Sequence, residues 1–229
     1  MKTRDFTGNR RRDAWPRETF DPDCRDCPRL AVFLGEVRRE RPGYYAHPVP
    51  PFGVREASLQ IVGLAPGMHG ANRTGRPFTG DFAGILLYRT LHRFGFASHA
   101  GSDDPDDGLT LSRCRVTNAV KCLPPQNKPL PAEVRVCNRY LAAEIEQYPP
   151  RAILALGRIA HDAVLRARGL RPAAIRFAHH AVHELPGGIR LFDSYHCSRY
   201  NTQTRRLTEA MFEAVVRDIA GFLGHVVAI

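Results

Sequence analysis

LQIVGLAPG, residues 59–67, decides the fold. Residues 59–64 form a short, nearly continuous apolar run, and Ala65-Pro66-Gly67 breaks it. A run without polar alternation reads as a strand buried on both faces, the mark of a parallel sheet. Working outward, the same pattern recurs at 115–120, 152–156 and 189–195. Between these runs lie segments with helical spacing. Residues 81–94 carry Phe82, Ile85, Leu86 and Phe94, with Gly95 as a stop. Residues 131–148 start on Pro131 and carry Val134, Cys137, Leu141, Ile145 and Tyr148. A further helix runs from Gly157 to near Gly169, and another spans 208–223 with Phe212, Val215, Val216, Ile219, Phe222 and Leu223 on one stripe. A short helix is expected at 30–39, an irregular loop at 41–54 and a surface excursion at 96–109. Strands alternating with helices predict an α/β fold, a three-layer α/β/α sandwich around a central, mostly parallel four-stranded sheet. With no repeat and no low-complexity linker, one domain over 1–229 is expected, residues 1–20 being a mobile basic segment with Arg10, Arg11, Arg12 and Arg17.

The chain has 229 residues, enough for one full α/β core. Its formal net charge is +10 and its pI about 9.8, which favours a polyanionic partner through counterion release. No stretch is long and apolar enough to span a bilayer, and the basic N-terminus lacks the apolar core of a signal peptide. The expected compartment is the reducing cytoplasm, where cysteines read as metal ligands rather than disulfides.

Cys24 and Cys27 form a C-x-x-C in a polar stretch, DPDCRDCPRL, that no apolar period explains. Cys122 and Cys137 form a second, distant pair. Cys137 also lies on the apolar stripe of the 131–148 helix, the usual place of a core cysteine. Four thiolates suit either a tetrahedral zinc or a [4Fe–4S] cluster. Cys114 and Cys197 fall outside the pattern and read as free thiols.

In open parallel sheets ligands sit at the carboxyl ends of the strands, so three segments are the place to seek chemistry. The first, GLAPGMHGANRTGRPFTGD at 63–81, has glycines that admit close approach of a ligand and no phosphate-loop motif. Phe78 stands outside any apolar stripe, suited to capping the core or to stacking on a flat ligand. Asp81 is by default a helix N-cap, and a carboxylate there also suits holding a water. The second, KCLPPQNKPLP at 121–131, fixes Asn127 among prolines; an amide both donates and accepts, as a nucleobase edge requires, though turn-forming asparagines are common. The third, DSYHCSRYNTQTRRLT at 193–208, places His196 directly after a strand, then Ser198, Arg199, Tyr200 and Asn201 in a basic, aromatic stretch suited to phosphates and base stacks.

Taken together, the cysteine set, the GLAPG…NRTGRPFTGD loop, PP-x-NKP and SYH-x-SR-x-NTQT resemble the uracil-DNA glycosylase superfamily. The likeness is to its family 5 (B-type) members with an iron–sulfur cluster, and it runs from Cys24 to the last helix. Most relatives carry an acidic or amide side chain at or beside Ala65; the apolar Leu64-Ala65 looks like family 5, whose members use the Asp at position 81 instead. Relatives strict for uracil place Tyr at the position of Gly67, so the resemblance implies a roomier pocket here, in which Ala65, Gly67, Phe78 and Asn127 contact the base. Cys197 departs from a common Pro in the third motif.

The resemblance implies a monofunctional DNA glycosylase of base-excision repair, acting as a monomer on DNA that contains uracil or other deaminated bases. Asp81, His196 and Asn127 are the implied catalytic set, and Ser198, Arg199, Tyr200 and Asn201 the DNA contacts. Cys24, Cys27, Cys122 and Cys137 would hold a structural [4Fe–4S] cluster. The alternative is a metal-stapled nucleic-acid-binding module without catalysis. A zinc hydrolase is disfavoured, since four cysteines close the coordination shell.

Overall fold

The structure, a computed structural model, describes residues 15–225. Among them, six strands form one sheet in the order β1-β3-β2-β4-β6-β5. Its centre is the expected parallel set: β3 (Cys114–Asn118), β2 (Leu59–Gly63), β4 (Ala152–Leu156) and β6 (Ile189–Ser194). The expected four-stranded sheet gains two short antiparallel edges, β1 (Phe52–Gly53) on β3 and β5 (Val182–Leu185) on β6. The expectation missed them for physical reasons. β1 is two residues long inside a Pro- and Gly-rich loop. β5 is a half-exposed edge strand carrying His183 and Glu184, so it shows no apolar run.

Every residue of β2, β3 and β4 is buried, and alternate residues serve opposite cores. Leu59, Ile61, Val116, Leu154 and Phe192 pack with α3 (Phe82–Arg93) and α7 (Glu209–Phe222). Val62, Ile153, Ala155 and Leu191 pack with α1 (Pro28–Glu40), α4 (Pro131–Gln147) and α5 (Arg158–Ala167). This period-two division gives the α/β/α sandwich. A short α2 (Ala71–Thr74) and a short α6 (Arg199–Gln203) lie inside the first and third loops. A buried polar network pins α4 to the sheet. Glu144 accepts from Gln60 Nε2 at 3.0 Å and pairs with the Lys121 ammonium, and Arg115 donates to Gln60 Oε1 at 2.7 Å. Removing Glu144 or Lys121 would leave the other as a buried charge without its partner.

Two expectations need correction. The 96–109 segment is no mere surface excursion: Phe96 and Leu109 are buried, and Ala97 bridges Leu111. Its aspartates hold Arg76, which pairs with Asp107 at 2.6 Å and donates to Ser102 Oγ and the Asp104 carbonyl. The mobile segment 1–20 is also cut short. Trp15 donates its indole N–H to the Pro51 carbonyl, and Thr19 and Phe20 are buried. Residues 1–14, with Arg10, Arg11 and Arg12, lie outside the described residues.

Candidate active site and thiol cluster

A cleft of about 450 Å³ opens at the carboxyl ends of the parallel strands. Its wall brings together Leu64, Ala65, Gly67, Phe78, Asp81, Asn127, His196 and Ser198 from all three loops, more than a hundred residues apart in the chain. Asn118, at the last position of β3, and Gly157 and Arg158, at the start of α5, complete it.

The first loop is held rigidly. Arg76 is buried and clamps it to the 102–107 segment, Thr79 and Ser102 share a 2.7 Å hydroxyl contact, and Tyr88 donates to the Pro77 carbonyl at 2.7 Å. Phe78 is 5 % exposed with φ 54, a left-handed backbone that a bulky residue rarely adopts. Its ring caps the core and faces the cleft, 6.0 Å from the His196 ring. The ring thus caps the core while forming part of the cleft wall.

Asp81 is the N-cap of α3: Oδ1 accepts the Gly84 N–H at 2.8 Å. Its second oxygen lies over Gly70, where a Cβ would stand only 2.6 Å from Oδ2. One oxygen is thus spent on the helix, the other lies beside Gly70, and the residue forms part of the cleft wall. Burial raises the Asp81 carboxyl above the usual carboxylate range, against the lowering effect of the Gly84 and Ala83 N–H groups. His196 is displaced the other way: desolvation lowers it to about 4, so its imidazole is neutral at physiological pH.

The two asparagines differ sharply. Asn127 is exposed at the cleft mouth with φ 56, its N–H turned back to the Pro124 carbonyl, the posture of a turn-forming Asn. Asn118 is 3 % exposed, and its Oδ1 has no hydrogen-bond partner. A buried unsatisfied carbonyl oxygen facing a cleft calls for a ligand. Sequence reasoning missed Asn118 because it fell inside the expected strand 115–120. The available signal was an amide side chain at the carboxyl end of an otherwise apolar strand.

In the third loop, Ser198 lines the cleft and caps α6 by accepting the Asn201 N–H. Asn201 turns inward: its amide donates to the His196 carbonyl at 2.8 Å and shapes the turn that presents the imidazole. Arg199 and Tyr200 project beside the cleft, Arg199 over the Phe82 ring at 5.1 Å and Tyr200 70 % exposed.

Below the sheet, Cys24, Cys27, Cys122 and Cys137 converge on one small cavity between the N-terminal segment, the second loop and α4. The Lys121 N–H donates to Cys137 Sγ at 3.3 Å, and the Arg139 guanidinium lies 4.0 Å from Cys24 Sγ. Among the described residues, only His161, His183 and Asp193 bring three metal-binding atoms within 4.8 Å of one another, so no three of the four sulfurs are that close. A tetrahedral zinc with bonds of about 2.3 Å needs sulfurs about 3.8 Å apart. The thiols are gathered but spread wider than one ion requires. Burial pushes Cys137 up to about 11 and Cys122 higher still, so these groups become thiolates only on coordination. Cys114 and Cys197 are buried elsewhere, in the core of the opposite face.

The sequence matches the Uracil DNA glycosylase superfamily over residues 50–220. It is 49% identical over 207 residues to a protein of Thermus thermophilus named type-5 uracil-DNA glycosylase, covering 88% of this chain and 94% of that one. A Mycobacterium leprae protein of the same name is 44% identical over 88% of this chain and 92% of its own, and one of Pyrobaculum aerophilum 41% identical over 88% and 90%. On this likeness, and on a cleft built from the three expected loops, the chain belongs to the uracil-DNA glycosylase superfamily, on its type-5 branch.

Proposed function

We propose that the protein is a monofunctional DNA glycosylase of base-excision repair. It hydrolyses the N-glycosidic bond of uracil, and of other deaminated or modified bases, after flipping the nucleotide out of the duplex. The carrying observation is one cleft that holds an aromatic wall, an unsatisfied buried amide, a neutral imidazole and a half-buried carboxylate, on a superfamily scaffold. Phe78 stacks on the base. Asn118 rather than Asn127 reads its edge, Oδ1 accepting a ring N–H and the amide N–H₂ donating to a carbonyl. Asn127 stands at the mouth. As the C1′–N bond breaks, its electron pair leaves with the base, and the neutral His196 donates a hydrogen bond to the negative carbonyl oxygen. Asp81 orients the attacking water with the oxygen that α3 leaves free, and accepts its proton as the water oxygen bonds C1′.

The backbone of Ala65 and the open space beside Gly67 form the base-facing lip. A Cβ at Gly67 would meet nothing within 4 Å, which supports a pocket with room for a C5 substituent. Cleavage should extend to 5-hydroxymethyluracil and to a deaminated purine, hypoxanthine or xanthine, and Gly67→Tyr should narrow that range. Ser198, Arg199 and Tyr200 contact the DNA, Tyr200 entering the gap left by the flipped base, while Asn201 holds the turn. Among the described residues no lysine lines the cleft, which disfavours a Schiff base and lyase chemistry. The site is complete within one chain, consistent with action as a monomer. No described helix is long and apolar enough to cross a membrane, in keeping with a cytoplasmic repair enzyme.

Cys24, Cys27, Cys122 and Cys137 are suited to a [4Fe–4S] cluster, whose four irons each take one thiolate at wider separation than a single zinc allows. Bound, it supplies a cross-link among the N-terminal segment, the second loop and α4, and takes no part in the reaction. Single-turnover cleavage of a uracil-containing duplex, with iron and sulfide analysis of anaerobically purified protein, tests the reading. Tight DNA binding without base release would favour the non-catalytic module, and one zinc with no iron would exclude the cluster.

A further inference from the structure

We propose that His161, His183 and Asp193 form a second metal site, separate from the thiols and the cleft, for one divalent ion of the zinc class. Three elements meet there. His161 lies on α5, His183 on β5 and Asp193 near the end of β6. His183 pairs with Leu191 across the antiparallel edge, so Asp193, two residues on, shares its face of the sheet. Leu191 on that face packs against α5, which supplies His161. None of the three lines the cleft or the thiol cavity.

His161 and Asp193 are wholly buried and His183 is 20 % exposed, so one side of the trio reaches solvent. The donor atoms lie within 4.8 Å of one another, with His161 Nδ1 2.8 Å from Asp193 Oδ1 and His183 Nε2 3.2 Å from Asp193 Oδ2. The second nitrogen of His161 is the informative one. Nε2 lies 3.1 Å from the Ile175 carbonyl, which only accepts, so Nε2 carries the proton. In the neutral ring Nδ1 is then a lone pair aimed at a carboxylate oxygen. Two acceptors at that distance need a cation between them, either a proton or a metal ion.

A ligand histidine whose other N–H is fixed by a backbone carbonyl is the usual arrangement at protein metal sites. Two imidazoles and a carboxylate suit zinc, with a fourth position for water, here on the solvent side of His183. Bonds of about 2.0–2.2 Å need donors about 3.3–3.5 Å apart, so the His161–Asp193 contact would lengthen by roughly half an ångström and the His183–Asp193 contact by less. The ion would bolt α5 and the β5 edge to β6, three residues before His196.

The test uses the untagged full-length protein with its native iron content intact. After mild chelation it is titrated with Zn²⁺, and zinc-edge X-ray absorption reads the donor atoms while iron is read separately. The expected result is one zinc per chain in a nitrogen and oxygen shell, with unchanged iron. His183→Gln, at the exposed edge, should lose that zinc while keeping its iron and its uracil excision. Absence of bound zinc, sulfur in its shell, or full retention by His183→Gln would each overturn the proposal; the first would leave a proton in the cation's place.

Discussion

Gly63→Ala should disable the site through two side chains that the alanine does not replace. A Cβ at Gly63 would stand 2.5 Å from Asn118 Oδ1 and 2.6 Å from Phe78 Cζ. Ordinary contacts are about 3.5–4.0 Å, so both groups must retreat by roughly 1 Å. Neither has easy room. Asn118 sits on a strand hydrogen-bonded along its length, and Phe78 is held at φ 54 with its carbonyl against Gly84. Overpacking of this kind costs about 1–3 kcal/mol of stability. Misplacing a base-holding group by 1 Å costs on the order of 10²-fold in rate. Single-turnover excision from a uracil duplex at saturating enzyme, with a thermal melt of the same sample, separates the two effects. Expected is a protein folded at assay temperature, binding DNA, with its rate down on the order of a hundredfold. Gly67→Ala, whose Cβ meets open space, should fold like the parent and serves as the control. A folded Gly63→Ala with wild-type rate would refute the placement of Asn118 and Phe78 against the base.

Asn118→Ala should slow excision by roughly 10–100-fold, the loss of one or two hydrogen bonds at a desolvated site, whereas Asn127→Ala should stay within a few-fold; equal effects would return the base edge to Asn127. The pH–rate profile should show no inflection near the ordinary histidine value of about 6.5, because desolvation lowers His196 to about 4. Its acid limb should follow Asp81, whose raised carboxyl must be ionised to hold the water, so activity falls as pH drops through a value above the normal carboxylate range. A raised folded-state value also means that the protonated form favours the fold, and that contribution is lost as pH rises through it.

The parallel core was legible in the sequence because burial on both faces writes an unbroken apolar run, as in LQIVG and AILAL. The edges were not, since Val182–Leu185 alternates exposed polar groups and Phe52–Gly53 is too short to carry a period. Composition misled at 96–109, where Asp107, in a run that looks solvated, is the counter-ion of Arg76, a pairing across some thirty residues that no local pattern records. The three loops could be read because strand ends place them; the buried amide of Asn118 in the same cleft wall could not. Asn118 looks like strand, and only its unpaired buried oxygen sets it apart from the prominent Asn127.

The central claim is that Asp81 serves the water as well as the helix, and Asp81→Asn tests it most directly. Asparagine caps about as well as aspartate, so α3 keeps its N–H partner. The ionised carboxylate is disfavoured by burial at neutral pH, so the melting temperature should hold or rise. Single-turnover excision of uracil at saturating enzyme should nonetheless collapse, with DNA affinity nearly unchanged. A wild-type rate in that measurement would contradict the account and leave Asp81 as a helix cap alone.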